Sequence, residues 1–424
     1  MFVICAAGLL VIVLAVFLAA SQILTLAAPG FTPVETAKAS LLLKILIFSL
    51  PTQALFSFII NLYHINKQFL RAAMAPVIGV IINIIAVTLL YSILGIASVA
   101  VGYVSGSFVS LLIVSPIALK SFKRHKYHLS FRNKEVILML RASVPLIASG
   151  IIFRSTTLIE RVIASNLPDG NISYLGYSNQ LMMVMATLVS GGIATTFFPV
   201  MADAWVHQDR NLLSTYVSKA VITILMLLAP IVLLILTSGE LIISIVFERG
   251  AFTHQDVLGV SNALKILMGA LIFGSMGNII SKIFYLTGKT IALSVIAILE
   301  LAIYIIVSLA LISDFSYLGL SLGLSISSAA NITISAWYLQ KNFKVFKLRG
   351  FSKPLLQLFC TCLLAIGILL SFQFSGYSLK TILHVLIYFT LILAPFFILF
   401  IESLKPGLFR KLKANLTNFI TNLK

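Results

Sequence analysis

Met74-Ala75-Pro76-Val77-Ile78-Gly79-Val80-Ile81-Ile82-Asn83-Ile84-Ile85-Ala86-Val87-Thr88-Leu89-Leu90-Tyr91-Ser92-Ile93-Leu94 is an unbroken run without one charged side chain. A helix of this length rises about 30 Å, the thickness of a bilayer's hydrocarbon core. Outward from this run the pattern repeats. Apolar stretches recur near 2–26, 41–62, 74–94, 97–119, 136–165, 172–200, 213–237, 257–287, 291–313, 317–341, 354–373 and 380–402. With 60% hydrophobic and 10% charged residues and a mean hydropathy of +1.10, the composition excludes a soluble domain. The chain reads as an all-α polytopic membrane bundle of about twelve transmembrane helices.

The cations between the stretches fall into two sets. Lys67, Arg71, Lys120, Lys123, Arg124, Lys126, Arg132, Lys134, Arg210 and Lys289 occupy alternate loops. Lys341, Lys344, Lys347, Arg349, Lys353 and a tail with Lys405, Arg410, Lys411, Lys413 and Lys424 continue that set. The opposite loops hold only Lys38, Arg249 and Lys380. Cytoplasmic loops are the Lys/Arg-rich ones, so this alternation predicts a multi-pass plasma-membrane protein with both termini cytoplasmic.

A formal charge of +18 raises the question of nucleic acid. Such a surface needs its cations gathered on one folded face. Here they are spread along the inner rim of a bundle, where anionic membrane lipids are the simpler partner. Cys5, Cys360 and Cys362 lie in apolar stretches without metal-ligand spacing, so they read as small hydrophobes, with no metal or cofactor expected. No Gly-rich phosphate loop, H-E-x-x-H or G-x-S-x-G occurs, and no carboxylate pair suits acid–base work. Transport, not enzymatic catalysis, is the function class left. The tail segment Leu408-Phe409-Arg410-Lys411-Leu412-Lys413 has the pattern of a short interfacial amphipathic helix.

Ionisable residues inside the bilayer cost several kcal/mol on insertion scales and call for a partner, a water cavity or a route to the interface. Lys44, Arg141 and Lys219 lie near stretch ends, where long stems can snorkel, and Lys282 is close enough to the inner end to do the same. Lys265 fits a structural and a functional role equally. Arg154 lies deeper, and Arg161 follows seven residues later on the same helical face, about 10 Å along. Two guanidiniums on one stripe form a track for an anion such as pyrophosphate. The alternative is structural pairing with Glu160 or Glu300. Ser173, Tyr174, Tyr177, Ser178, Asn179 and Gln180 make the next helix start polar, fitting either sugar hydrogen bonding or interhelical packing. Gly191-Gly192 and Pro199 interrupt that helix, as breaks lining cavities or permitting bending do.

The loop Phe247-Glu248-Arg249-Gly250-Ala251-Phe252-Thr253, followed by Asp256, resembles the F-x-R-G-x-F-T segment in an outer loop of the MurJ/MviN lipid II flippase family. That family belongs to the multidrug/oligosaccharidyl-lipid/polysaccharide exporter superfamily. Weaker matches follow in order: Ala28-Pro29-Gly30-Phe31, Leu43-Lys44-Ile45, Phe69 with Ala75-Pro76-Val77 and Asn83, and Ala164-Ser165 with Leu167-Pro168, Ser173, Tyr177 and Leu181. Lys282-Ile283-Phe284-Tyr285 with Gly288 and Thr290 resembles the family's R-x-F-Y-x-x-G-x-T cytoplasmic turn.

The resemblance spans almost the whole chain, with two departures. The family usually has fourteen helices and the first two lack a counterpart here. Met1 also runs into Phe2-Val3-Ile4 without a basic flank, as an internal helix of a longer protein would. Secondly, Asn179-Gln180 stand where the family has Asp-Arg, and Met183 stands in place of an acidic residue. The expected organisation is N-terminal helices over 1–119 (the remnant of a first bundle), a basic loop 120–135 and a second bundle with cavity helices over 136–341. A basic loop 342–353, two helices over 354–402 and a basic tail 403–424 complete it. The resemblance implies that the chain moves undecaprenyl-pyrophosphate-linked peptidoglycan precursor to the outer leaflet by alternating access, with cell-wall synthesis proteins as possible partners. Another lipid-linked glycan, an ion-coupled drug exporter with Glu160 or Glu300 as ion site, and an inactive fragment or scaffold are the alternatives. Arg154, Arg161, Ser173, Asn179, Gln180 and Lys282 are the candidate headgroup-binding residues. Phe247, Arg249, Gly250, Phe252, Thr253, Phe284 and Tyr285 carry the family motifs.

Overall fold

Helix is the outcome forced on apolar runs of this length, because backbone N–H and C=O groups find no water in a bilayer core. A computed structural model of the chain, describing residues 2–65, 68–124 and 155–346, is all-helical over those residues. The helices are α1 (Phe2–Leu18), α2 (Ala20–Ala27), α3 (Pro33–Leu46), α4 (Ser49–Ile65), α5 (Phe69–Leu94), α6 (Ala97–Arg124) and α7 (155–164). They continue with α8 (Asn171–Ala186), a π-turn (Thr187–Gly191), α9 (Gly192–Val206), α10 (Arg210–Phe247), α11 (His254–Leu286), α12 (Thr290–Phe315) and α13 (Tyr317–Phe343). Among the described residues, eight segments are long and apolar enough to span a membrane. A ninth would be the first apolar stretch, which is not straight: its two helices meet at 73° around Ala19. The stretches at 354–373 and 380–402, and most of 136–165, lie outside the described residues.

The chain divides into two compact units, one of residues 1–150 with 161–166, the other of 151–160 with 167–424. In the first, α5 and α6 are joined by a seam of small residues. A side chain at Gly106 would collide with the Gly79 carbonyl, and Ser110 Oγ donates to the Ala75 carbonyl at 3.0 Å. Small residues allow this approach, and the hydroxyl supplies polar attachment where lipid offers no hydrophobic drive. Thr52 and Ser107 share a 3.0 Å hydrogen bond, and Gln53 Nε2 donates to Tyr103 Oη at 2.6 Å. Helix α3 begins with a capping box, Thr32 and Glu35 satisfying each other's backbone N–H, with Pro33 at its first position. Two segments singled out by the family resemblance meet here, as Gly30 N donates to Ser165 Oγ at 3.2 Å. The backbones lie so close that a side chain at Gly30 would strike the Ser165 carbonyl.

The second unit has the denser core, with Met201, Ile224, Leu228, Ile243, Leu264, Met268 and Phe284 at its centre. Helix α10 has 38 residues and α11 has 33, so they rise about 57 and 50 Å, well beyond a hydrocarbon core. Both must tilt or project from the bilayer. Helix α10 is kinked at Ser238 (φ −128°, ψ 17°), next to Gly239. Serine hydroxyls link the helices: Ser178 Oγ to the Val260 carbonyl at 3.0 Å and Ser325 Oγ to the Ile266 carbonyl at 2.8 Å.

Candidate functional site

The segment between α10 and α11 is built from its own residue types. Gly250 takes φ +63°, a left-handed conformation that a side chain would strain. Arg249 N bonds the Phe247 carbonyl at 2.7 Å, and Phe252 N bonds the Arg249 carbonyl at 3.2 Å, closing a tight turn. Thr253 then caps α11: Asp256 Oδ2 accepts from Thr253 N and from Thr253 Oγ1, both at 2.7 Å. Phe247 and Phe252 fold back on Tyr177, with ring centroids 5.0 and 5.4 Å away. Four of the five motif positions are thereby explained by turn geometry, capping and packing. Arg249 is exposed and has no carboxylate partner among the described residues.

This turn borders a cavity of about 500 Å³ whose lining includes Gly170, Ser173, Tyr174, Tyr177, Phe247, Arg249, Phe252 and Asp256. Tyr174 Oη donates to Asp256 Oδ1 at 3.0 Å, and its ring meets Tyr317 edge-on at 5.5 Å. Tyr317 Oη in turn donates to the Gly259 carbonyl at 3.2 Å. The structure therefore brings Ser173, Phe247, Arg249 and Phe252 together, although they come from segments more than seventy residues apart.

The other predicted residues lie elsewhere. Asn179 Nδ2 donates to Glu160 Oε1 at 2.7 Å, and Glu160 is only 8% exposed. In the polar start of α8, Tyr174, Ser178 and Asn179 thus serve contacts between helices, while Ser173 and Gln180 are exposed. Arg161 is exposed on α7. Arg154 lies outside the described residues, so its pairing with Arg161 along one stripe does as well. Lys282 sits between two rings, its Nζ 5.9 Å from the centroids of both Phe198 and Tyr285. Phe284 is fully buried and stacks on Tyr338 at 5.6 Å, whereas Tyr285 is exposed.

Several contacts had no signal in the chain. Lys265, open to either role, forms a 2.7 Å ion pair with Glu240. Lys44 lies over the Phe17 ring at 5.6 Å in an apolar cavity of about 600 Å³, an alternative to reaching the interface. Glu300, in the middle of α12, accepts from Asn331 Nδ2 at 2.6 Å and from Ser328 Oγ at 3.4 Å. Only the i,i+3 relation of Lys282 to Tyr285 was legible beforehand.

Long apolar spans, serine-linked helices, a π-turn and a kinked helix define a multi-pass membrane helix bundle, and solved structures share its fold. The fold matches "Lipid II flippase MurJ, inward closed conformation" with a TM-score of 0.76 at 21% identity, over 96% of this chain and 81% of that one. It also matches an inward-facing multidrug resistance MATE family transporter of the MOP superfamily, with a TM-score of 0.66 at 13% identity over 80% of this chain and 79% of that one.

The family is narrower than the fold. A sequence profile described as "Lipid II flippase MurJ" matches residues 1–390, and the chain belongs to that family. Among curated relatives named "Probable lipid II flippase MurJ", that of Buchnera aphidicola subsp. Schizaphis graminum is 26% identical over 340 residues, 78% of this chain and 65% of the relative. The Helicobacter pylori J99 relative is 27% identical over 278 residues (64% of this chain, 58% of the relative), and the Bdellovibrio bacteriovorus one is 26% identical over 227 residues (53% and 43%). The chain thus spans between about two fifths and two thirds of these relatives' length.

Proposed function

We propose that the chain moves a lipid-linked, pyrophosphate-bearing peptidoglycan precursor, lipid II, from the inner to the outer leaflet of the plasma membrane. The family match over residues 1–390 carries this reading. Alternating access is the mechanism that the architecture favours. Its spans contain places where backbone geometry can change: the π-turn Thr187–Gly191 beside Gly192, with open space around Gly191 and Gly192, and the kink at Ser238. The precursor's tail remains in lipid while cations face its pyrophosphate. Arg154, Arg161 and Lys282 are the proposed cations, with Ser173, Asn179 and Gln180 proposed for the sugar. Both termini are assigned to the cytoplasm by the charge rule, with anionic lipids along the inner rim and cell-wall synthesis proteins as candidate partners.

A second reading, a flippase for another lipid-linked glycan such as an O-antigen or capsule unit, rests on Asn179 and Gln180. These neutral residues stand where the resemblance implies an acidic–basic pair, and Asn179 is held by Glu160. The test is depletion of the chain in cells, with an outer-face probe or enzyme reporting how much murein precursor has crossed. Loss of outer-leaflet precursor, restored on re-expression, supports lipid II. Unchanged precursor with loss of another surface glycan selects the second reading, and no change in any glycan refutes both. Arg154→Ala and Arg161→Ala should lower flipping with the protein still folded. Loss of folded protein instead would make those arginines structural.

A further inference from the structure

We propose that the cavity under the α10–α11 turn is a binding subsite for an acidic sugar, meaning a pyranose ring that bears a carboxylate or phosphate. The proposal rests on the flippase reading only for the site's purpose; its chemistry stands on the cavity itself. At about 500 Å³ the space lies within the roughly 300–1,000 Å³ usual for small-molecule sites.

Its floor is aromatic. Tyr177 is 41% exposed, and its ring packs against Phe247 at 5.0 Å and edge-on against Phe252 at 5.4 Å, both of which line the same cavity. An exposed ring fixed by packing offers its electron-rich face at little entropic cost, and sugar C–H groups are the polarised, flat-lying partners for such a face. The rim is cationic. Arg249 stands on the closed turn with Gly250 at φ +63°, unpaired with any carboxylate among the described residues.

Neither nearby acid pairs with Arg249. Glu248 accepts from Ser244 Oγ and lies 3.4 Å from His254 Nδ1. Asp256 also lines the cavity and is held ionised by bonds from Tyr174 to Oδ1 and from Thr253 to Oδ2, but it forms no ion pair with Arg249. A guanidinium left free for an incoming anion, beside an aromatic platform and the exposed Ser173 hydroxyl, matches an acidic sugar better than a neutral one. Arg249 lies in a loop of the cation-poor set, which the charge rule places outside. The subsite would therefore meet a headgroup on the face where it is released.

The test uses the full chain in lipid nanodiscs and saturation-transfer NMR titrations. The probes are N-acetylmuramic acid, N-acetylglucosamine 1-phosphate, N-acetylglucosamine and inorganic phosphate. Both acidic sugars are expected to saturate at concentrations about ten-fold lower than the neutral sugar, which lacks the charge-assisted contact, or phosphate, which lacks the contact with the Tyr177 ring, each contact being worth about that factor. Arg249→Ala should reduce the acidic sugars to the neutral level and Arg249→Lys should retain part of the difference. Tyr177→Leu should weaken every sugar and leave phosphate unchanged. A preference confined to one of the two acidic sugars identifies a carboxylate or a phosphate as the anion recognised, and supports the subsite. Equal binding of neutral and acidic sugars, phosphate binding as tightly as they do, binding unchanged in Arg249→Ala, or no binding would each overturn it. Flipping is scored separately. Precursor that crosses without acidic-sugar binding sinks the subsite alone, while acidic sugars bound through Arg249 without any crossing sink the flippase reading alone.

Discussion

Gly259→Ala tests the geometry that holds the cavity together. A methyl group at position 259 would lie 2.7 Å from Tyr174 Cδ2 and Cε2, where ordinary contact begins at 3.4 Å. The ring must withdraw by on the order of 0.7 Å, or α8 and α11 must separate. Tyr174 is held by edge-on contact with Tyr317 at 5.5 Å and at its tip by the 3.0 Å bond to Asp256. Overpacking of this kind costs about 1–3 kcal/mol. Displacing the ring also loosens its hydrogen bond to Asp256. Gly274, on the same helix, has nothing within 4 Å of an added methyl. Gly274→Ala should therefore stabilise by up to about 1 kcal/mol through helix propensity. Both are read by SDS titration of refolded protein in mixed micelles, alone and on a Tyr174→Ala background. With the ring removed, Gly259→Ala should become as benign as Gly274→Ala, a strongly non-additive cycle. Equal effects of the two glycine substitutions, or an additive cycle, would show that α8 and α11 do not meet through Tyr174.

Further outcomes follow from other contacts. Asn179→Ala removes a donor from the buried Glu160 and should cost about 1–3 kcal/mol in the same titration, whereas Gln180→Ala, exposed, should change stability by less than about 0.5 kcal/mol. Lys265→Ala should cost less than about 1 kcal/mol, because the Glu240 partner is half exposed; charge exchange at both positions should restore that loss, and a transport defect that survives the exchange would give Lys265 a functional role. Gly250→Ala must place a side chain at φ +63° and should destabilise by about 1–2 kcal/mol, with Thr253→Ala costing about 1 kcal/mol through the lost cap.

The motif at 247–253 was legible as a family mark before its physics was visible. Its residues prove to be a turn glycine, a helix cap and two rings packed on Tyr177. Local chemistry of this kind is encoded within a few residues, and so the chain displays it. The partners Asn179–Glu160, Lys265–Glu240 and Glu300–Asn331 were not legible, although each residue stood out as polar in an apolar run.

By itself the chain determined what the bilayer requires: the length of the spans, from the rise of a helix against the hydrocarbon thickness, and the all-helical class, from backbone hydrogen bonding. Order of weak matches pointed to the family. Tertiary structure alone decided which side chains meet. Along these spans lipid tails and a protein core are equally apolar, so hydrophobic periodicity cannot tell an inward face from an outward one. Only close approach of helices, as where Gly259 admits the Tyr174 ring and Gly106 admits the Gly79 backbone, selects one face over another.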